Sequence, residues 1–226
     1  YSPGLLFTVA APSLFAEPRL IIILGAAEGL LEDLSHLIAE PVENCTVVAG
    51  STTEAVNSPV WANDETLYYL SDKSGFWNIW ENSSLGKNRQ VLVEAAEWAH
   101  PMWQVGTNLL RILPDGRLVG IHGSPAAEKV AIVDPTSGRV TDCKSELSNF
   151  SHISVHDNQV FAIGGGAKVP AAIVEFSATT AATATTLIDV ELPVAASYFP
   201  TARSVSFPSK NGRAVHAFIS TATNPD

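Results

Sequence analysis

From about residue 43 onward, short apolar runs alternate with turn-forming residues. Val47-Val48-Ala49, Leu67-Tyr68-Tyr69-Leu70, Trp77-Asn78-Ile79-Trp80 and Gln90-Val91-Leu92-Val93 each have the length of a strand. Asn63-Asp64, Ser74-Gly75 and Leu85-Gly86-Lys87-Asn88 bound them with turn chemistry. The rhythm continues and predicts strands over 109–113, 117–122, 129–133, 139–141, 160–163, 172–176 and 186–190. Pro114-Asp115-Gly116 and Asp134-Pro135-Thr136-Ser137-Gly138 read as turns, and so does Gly164-Gly165-Gly166. Closely spaced strands without intervening helices predict an antiparallel all-β architecture. Residues before 43 follow a different pattern. Between Ala27 and Ile38, the residues Leu30, Leu31, Leu34, Leu37 and Ile38 share one helical face, and Pro41 stops such a helix.

A repeat runs through the strand region. Ser58-Pro59-Val60-Trp61 is followed six residues after the Trp by Leu67, and His100-Pro101-Met102-Trp103 is followed at the same distance by Leu109. The two Trp lie 42 residues apart, and a fainter copy places Val160 six residues beyond Ser154. A period of about 40–50 residues holding four strands is that of a propeller blade. A sandwich with two coincidentally similar hairpins is the plainer alternative. The blade reading expects Trp61 and Trp103 at equivalent buried places between blades. It also takes Trp61, Trp77, Trp80, Trp98 and Trp103 as blade packing rather than a carbohydrate platform. The fold class expected is all-β: a partial β-propeller of about three four-stranded antiparallel blades, with a short helical N-terminal segment.

Composition narrows the function. The 226 residues carry 13 Lys+Arg against 23 Asp+Glu, a net charge of −10, and hold no basic cluster. That balance argues against nucleic acid as a partner, because phosphate binding needs clustered cations. The longest apolar stretch, around Leu20 to Leu31, is interrupted by Gly25, Glu28 and Gly29, so no membrane span is expected. Cys45 and Cys143 form no CxxC and have no His at ligand spacing, so no metal is expected and their pairing is left open. Asn44, Asn82 and Asn149 head glycosylation sequons that decide little about compartment, and the reading leans only slightly towards the cytoplasm. The chain begins with Tyr1 and its one Met is Met102, which predicts a piece of a longer chain or an incomplete gene reading.

The segment from Pro59 to Trp80 resembles a blade of the prolyl oligopeptidase family of serine peptidases, near its dipeptidyl-aminopeptidase and acylaminoacyl-peptidase members. In those members a P-x-W opening, an L-Y-x-x-S-D strand end and a G-x-W-N turn occur together. Glu97-Trp98 before Pro101-Met102-Trp103 resembles the next blade, where the family usually has Glu-Phe; Trp98 is a departure. Ser204 to Phe218 and Asn224-Pro225-Asp226 look like the exit towards an α/β-hydrolase domain. The resemblance implies three parts: 1–42, atypical and partly helical; 43–203, propeller blades; and 204–226, the exit segment. It further implies a non-catalytic propeller that gates access of peptide substrate to a hydrolase domain of the same parent chain. The competing expectation is a stand-alone propeller acting as an interaction or ligand-binding module.

The chemistry of that family needs a Ser-His-Asp triad with its Ser in a G-x-S-x-G elbow, and no such motif occurs in these 226 residues. No catalytic, cofactor-binding or metal-binding residue is therefore assigned, and no cofactor is expected. His100 and His122 have no nucleophile to serve and read as structural. Glu97 has the chemistry to pair with a substrate amine, but a turn-bonded Glu is the commoner case. Asp72, at a strand end beside Ser71, is expected to hold backbone amides.

Overall fold

The computed structural model describes residues 48–62, 66–83, 86–100, 107–124, 127–180, 183–188 and 190–223. The expected helix over 27–38, Cys45 and Trp103 lie outside them. The chain divides into two units: Tyr1–Leu110 with Pro135–Gly138, and Arg111–Asp134 with Arg139–Asp226.

The first sheet is an antiparallel meander of β1 (Val56–Trp61), β2 (Leu67–Ser71), β3 (Asn78–Asn82) and β4 (Asn88–Gln90), in that spatial order. All five residues of β2, Leu-Tyr-Tyr-Leu-Ser, are buried, so this strand is covered on both faces. Leu70 and Ile79, opposite one another in β2 and β3, are fully buried. The turn after β2 closes where Gly75 takes a φ of 93° and donates its N–H to the Asp72 carbonyl at 2.9 Å. Two sequence expectations shift here. Val48-Ala49 is not a strand, and β4 ends at Gln90 rather than beginning there, leaving Val93 85% exposed.

The second sheet runs β5 (Leu110–Ile112), β6 (Leu118–Ser124), β7 (Ala127–Asp134) and β8 (Arg139–Asp142). The turn from Leu113 to Arg117 has Gly116 at a φ of 86° and Asp115 accepting the Arg117 N–H at 3.0 Å. The third sheet, β9 (Asn149–His156), β10 (Gln159–Gly166), β11 (Val169–Ser177) and β12 (Thr185–Ile188), repeats the meander. Within the second unit, β9 lies against β6 and β7. Phe150 and Phe176 form the core of this region with ring centroids 5.9 Å apart. A one-turn 3-10 helix, Ala196–Tyr198, precedes a two-stranded hairpin of β13 (Ala202–Pro208) and β14 (Ala214–Ser220).

Three antiparallel four-stranded meanders are the expected blades, but the repeat is not in the expected register. Leu67 and Val160 both lie in the second strand of their sheets, whereas Leu109 leads into β5, the first strand of its sheet. The 42-residue spacing of Trp61 and Trp103 is therefore not a blade period. Trp61 closes an edge strand and is 51% exposed, so it does not fill an inter-blade space. Among the described residues the fully buried Trp is Trp98. The glycine triplet 164–166 is strand rather than turn. The φ of these glycines is not left-handed; space explains them instead. A Cβ on Gly164 would sit 2.8 Å from both Leu147 Cδ1 and Phe150 Cε1, so glycine lets the Phe150 ring lie on the strand.

Trp98→Ala is expected to destabilise the chain by about 3–5 kcal/mol, the range for emptying a filled aromatic site. Trp61→Ala is expected to cost less than about 1 kcal/mol, because half of that ring is already in water. Urea denaturation of both variants checks the contrast.

Candidate functional site

The residues singled out in the sequence do mechanical work around β3. The side-chain amide of Asn78 donates to the Glu94 carbonyl at 3.1 Å and accepts the Glu94 N–H at 3.0 Å. Trp98 donates its backbone N–H to the Trp77 carbonyl at 2.9 Å and its indole N–H to Glu94 Oε2 at 2.7 Å. Glu97 Oε2 accepts the Trp77 N–H at 3.0 Å. Segment 94–98 is thereby lashed to Trp77-Asn78, and the Glu97 carboxylate is an exposed backbone brace. Ser71 donates to Glu54 Oε1 at 2.7 Å, while Asp72 Oδ1 accepts the Ala55 N–H at 2.8 Å. The pair ties the chain before β1 to the end of β2, as an Asp at a strand end does. Burial, helped by the Glu54 charge, pushes the neighbouring Tyr69 hydroxyl up to about 12.

In the second unit the buried His122 places Nε2 2.9 Å from Asp142 Oδ1, and Lys129 donates to Asp142 Oδ2 at 2.5 Å. Register explains the cluster: His122 and Lys129 are opposite in β6 and β7, and β8 carries Asp142 back alongside. Burial raises the Asp142 carboxyl, but the hydrogen bonds from Lys129 and His122 outweigh it and hold it below the ordinary value of 3.8. Asp142 and Lys129 border a cleft of about 360 Å³ that also takes in Cys143, Lys144, Glu146 and Thr183. Cys143 is a free thiol whose ionisation burial and then the Asp142 charge push up to about 11, so it stays protonated and a poor nucleophile at neutral pH. Lys129 and Asp142 carry no sequence motif; only the pairing of three strands brings them together.

One Ser–His contact escaped sequence reading. Ser206 Oγ lies 2.8 Å from His216 Nδ1 across the β13–β14 hairpin. A serine nucleophile needs a base oriented by a third group in a water-excluded site. Both residues are exposed, and among the described residues no carboxylate is hydrogen-bonded to His216. The contact is a cross-strand polar pair. Nor do three or more His, Cys, Asp or Glu side chains among the described residues converge as a metal site.

No protein-family model and no curated protein matches the chain. Solved structures do. The chain is similar to a puromycin hydrolase, with a TM-score of 0.74 and 25% identity over 80% of this chain and 28% of that one. It is also similar to a puromycin-hydrolysing peptidase of Mycobacterium tuberculosis, with a TM-score of 0.71 and 30% identity over 79% of this chain and 28% of that one. The sheets resemble the propeller blades of prolyl oligopeptidase-type peptidases. Prolyl oligopeptidase B of Galerina marginata, at 12% identity and a TM-score of 0.60 over 76% of this chain and 24% of that one, shares the fold. The chain thus spans a little over a quarter of the length of the puromycin hydrolases it matches. The lashing of segment 94–98 gives physical content to the G-x-W-N and Glu-Trp motifs: both serve the sheet.

Two pH measurements test the second-unit cluster. Alkylation of Cys143 by iodoacetamide is expected to be very slow at pH 7–8 and to rise only as pH approaches about 11, the point at which the buried thiol ionises; fast labelling at neutral pH contradicts this. The Asp142 pKa is depressed on folding, so its stabilising contribution is complete above 3.8 and is lost as pH falls from there through the lower folded value. The stability difference between the native chain and Asp142→Asn, from urea curves, should therefore be present at pH 5 and narrow below pH 3.8.

Proposed function

We propose that the chain is the propeller portion of a serine peptidase acting on short peptides, in which the propeller limits access to a hydrolase domain carried by the same parent chain. The observation that carries the reading is the 25–30% identity to puromycin-hydrolysing enzymes over about four-fifths of this chain. The β13–β14 hairpin supports the second domain. Cross-strand partners share a face, so Val205 with Ala217, Phe207 with Val215 and Arg203 with Ile219 make one side of the ribbon. That side is apolar apart from Arg203, and Phe207 is 50% exposed. An isolated two-stranded hairpin is marginal in water, and an apolar face on it calls for a covering layer. In this reading the hydrolase domain is that layer, and it supplies the nucleophile, base and oxyanion donors. A propeller beside such a site admits short or unfolded peptides and excludes folded proteins.

The full reading frame of the gene tests this. It is expected to encode a G-x-S-x-G elbow and an HGG-type oxyanion loop, and its product to cleave chromogenic dipeptides or puromycin with one serine labelled by a fluorophosphonate. The 226-residue chain alone should stay unlabelled. A frame lacking both motifs refutes the peptidase reading and leaves the stand-alone interaction module.

A further inference from the structure

Asn211-Gly212 is the only place in the chain where an asparagine precedes a glycine. It lies at the tip of the β13–β14 hairpin. The main-chain nitrogen that follows an asparagine can attack the side-chain carbonyl carbon, because the ring that closes has five members. A side chain on the following residue hinders the approach. Glycine has none, and a Cβ built on Gly212 meets nothing within 4 Å, so the space around this residue is open. Asn211, Gly212 and their neighbours Lys210 and Arg213 are all exposed, so water reaches the site. Asn78, Asn82 and Asn149, by contrast, sit in sheet strands and precede Ile, Ser and Phe.

The turn itself holds the reacting nitrogen back. Gly212 donates its N–H to the Ser209 carbonyl at 2.9 Å, and Ser209 donates its own to the Arg213 carbonyl at 2.7 Å. Gly212 takes a left-handed φ of 77°. This is the pattern of a three-residue hairpin loop closed by a bulge. A nitrogen whose N–H is bonded and whose peptide plane is fixed by the turn does not reach Asn211 Cγ, so the turn must open first. Opening is cheap here. Neither β13 nor β14 holds a buried residue, so little apolar area anchors the ribbon.

We propose that Asn211 is a site of spontaneous deamidation, gated by opening of the Ser209–Gly212 turn. The Gly212 nitrogen forms a bond to Asn211 Cγ and gives up its proton, the Cγ–Nδ2 bond breaks, and ammonia leaves. Water then opens the cyclic imide at one of its two carbonyls. Opening at Cγ leaves an aspartate. Opening at the main-chain carbonyl leaves an isoaspartate, whose main chain is one carbon longer. Water is the only co-reactant, and no electron is transferred. Either product sets a carboxylate between Lys210 and Arg213, and the longer one disturbs the turn that holds Pro208 opposite Ala214. The proposal does not depend on the peptidase reading.

Ageing the purified 226-residue chain at mildly alkaline pH tests it, with a synthetic peptide of residues 206–216 as the ungated control. Mass spectrometry of chymotryptic fragments follows each asparagine over time. The fragment carrying Asn211 is expected to gain one mass unit ahead of every other asparagine. It should do so about five- to tenfold more slowly than the peptide, the factor that one net hydrogen bond gives. Urea should bring the chain to the rate of the peptide in the same urea. Asn211→Gln should abolish the change, since the longer side chain closes a less favourable six-membered ring. The proposal is overturned if Asn211 is unmodified when the peptide has converted completely, or if another asparagine reacts first. Equal rates for chain and peptide without urea also overturn it, because the turn then gates nothing.

Discussion

A four-stranded meander carries apolar side chains on both of its faces, and both must leave water for the sheet to be stable. This constraint organises the described part of the chain. It explains why β2 has no polar alternation: Leu67, Tyr68, Tyr69 and Leu70 are buried whichever way they point. It explains why β6 reads Leu-Val-Gly-Ile-His, with the one polar side chain bonded to Asp142 at its edge. Where the constraint is met on one side only, as in the third sheet, the open side shows half-exposed Ile and Val, and the terminal hairpin has no buried residue on either side.

Stacked sheets also bury backbone and polar side chains, and these need partners. The chain uses long-range side-chain bonds as cross-ties. Glu128, 8% exposed, accepts the Phe150 N–H at 2.8 Å, and its own N–H goes to the Ser148 carbonyl at 3.0 Å. That joins β7 to the start of β9, where the two sheets of the second unit meet. Arg117 reaches the Ala178 carbonyl at 3.0 Å. Asn78 does the same in the first unit, satisfying both backbone groups of Glu94. One exception among the described residues lies at the bulge in β1. There Asn57 and Ser58 hold buried side-chain polar atoms without a protein partner, and Ser58 takes a φ of 47°. Bulges disrupt the ladder locally and concentrate such strain.

The polar residues that invite a catalytic reading are mostly consumed by this bracing. Glu97, Asp72 and Ser71 each hold a backbone or side-chain group of their own sheet. Cys143 is kept protonated by burial, and the Ser206–His216 pair stands in water. Among the described residues, polar chemistry of this kind goes into the rigidity of the sheets.

The chain's own residues determined the class of fold, because strand length and turn chemistry are local. Gly75, Gly116 and Gly138 sit at left-handed φ where Ser74-Gly75, Asp115-Gly116 and Ser137-Gly138 mark turns, and the strands between follow. The Pro59 to Trp80 motif was legible for the same reason, since its contacts lie within a few residues or on adjacent strands. Blade register, by contrast, was not legible. Trp61 and Trp103 recur at blade-like spacing, yet whether a strand is first or second in its sheet depends on which partners it finds, and Leu109 leads into a first strand where Leu67 begins a second. Gly164-Gly165-Gly166 reads as a turn until Phe150, fourteen residues earlier in the chain, is laid on it. The Lys129–Asp142–His122 cluster likewise exists only once separate strands are paired. Local sequence determines which segments extend and where they turn; which side chains meet is decided by pairing and stacking, and those depend on residues far apart in the chain.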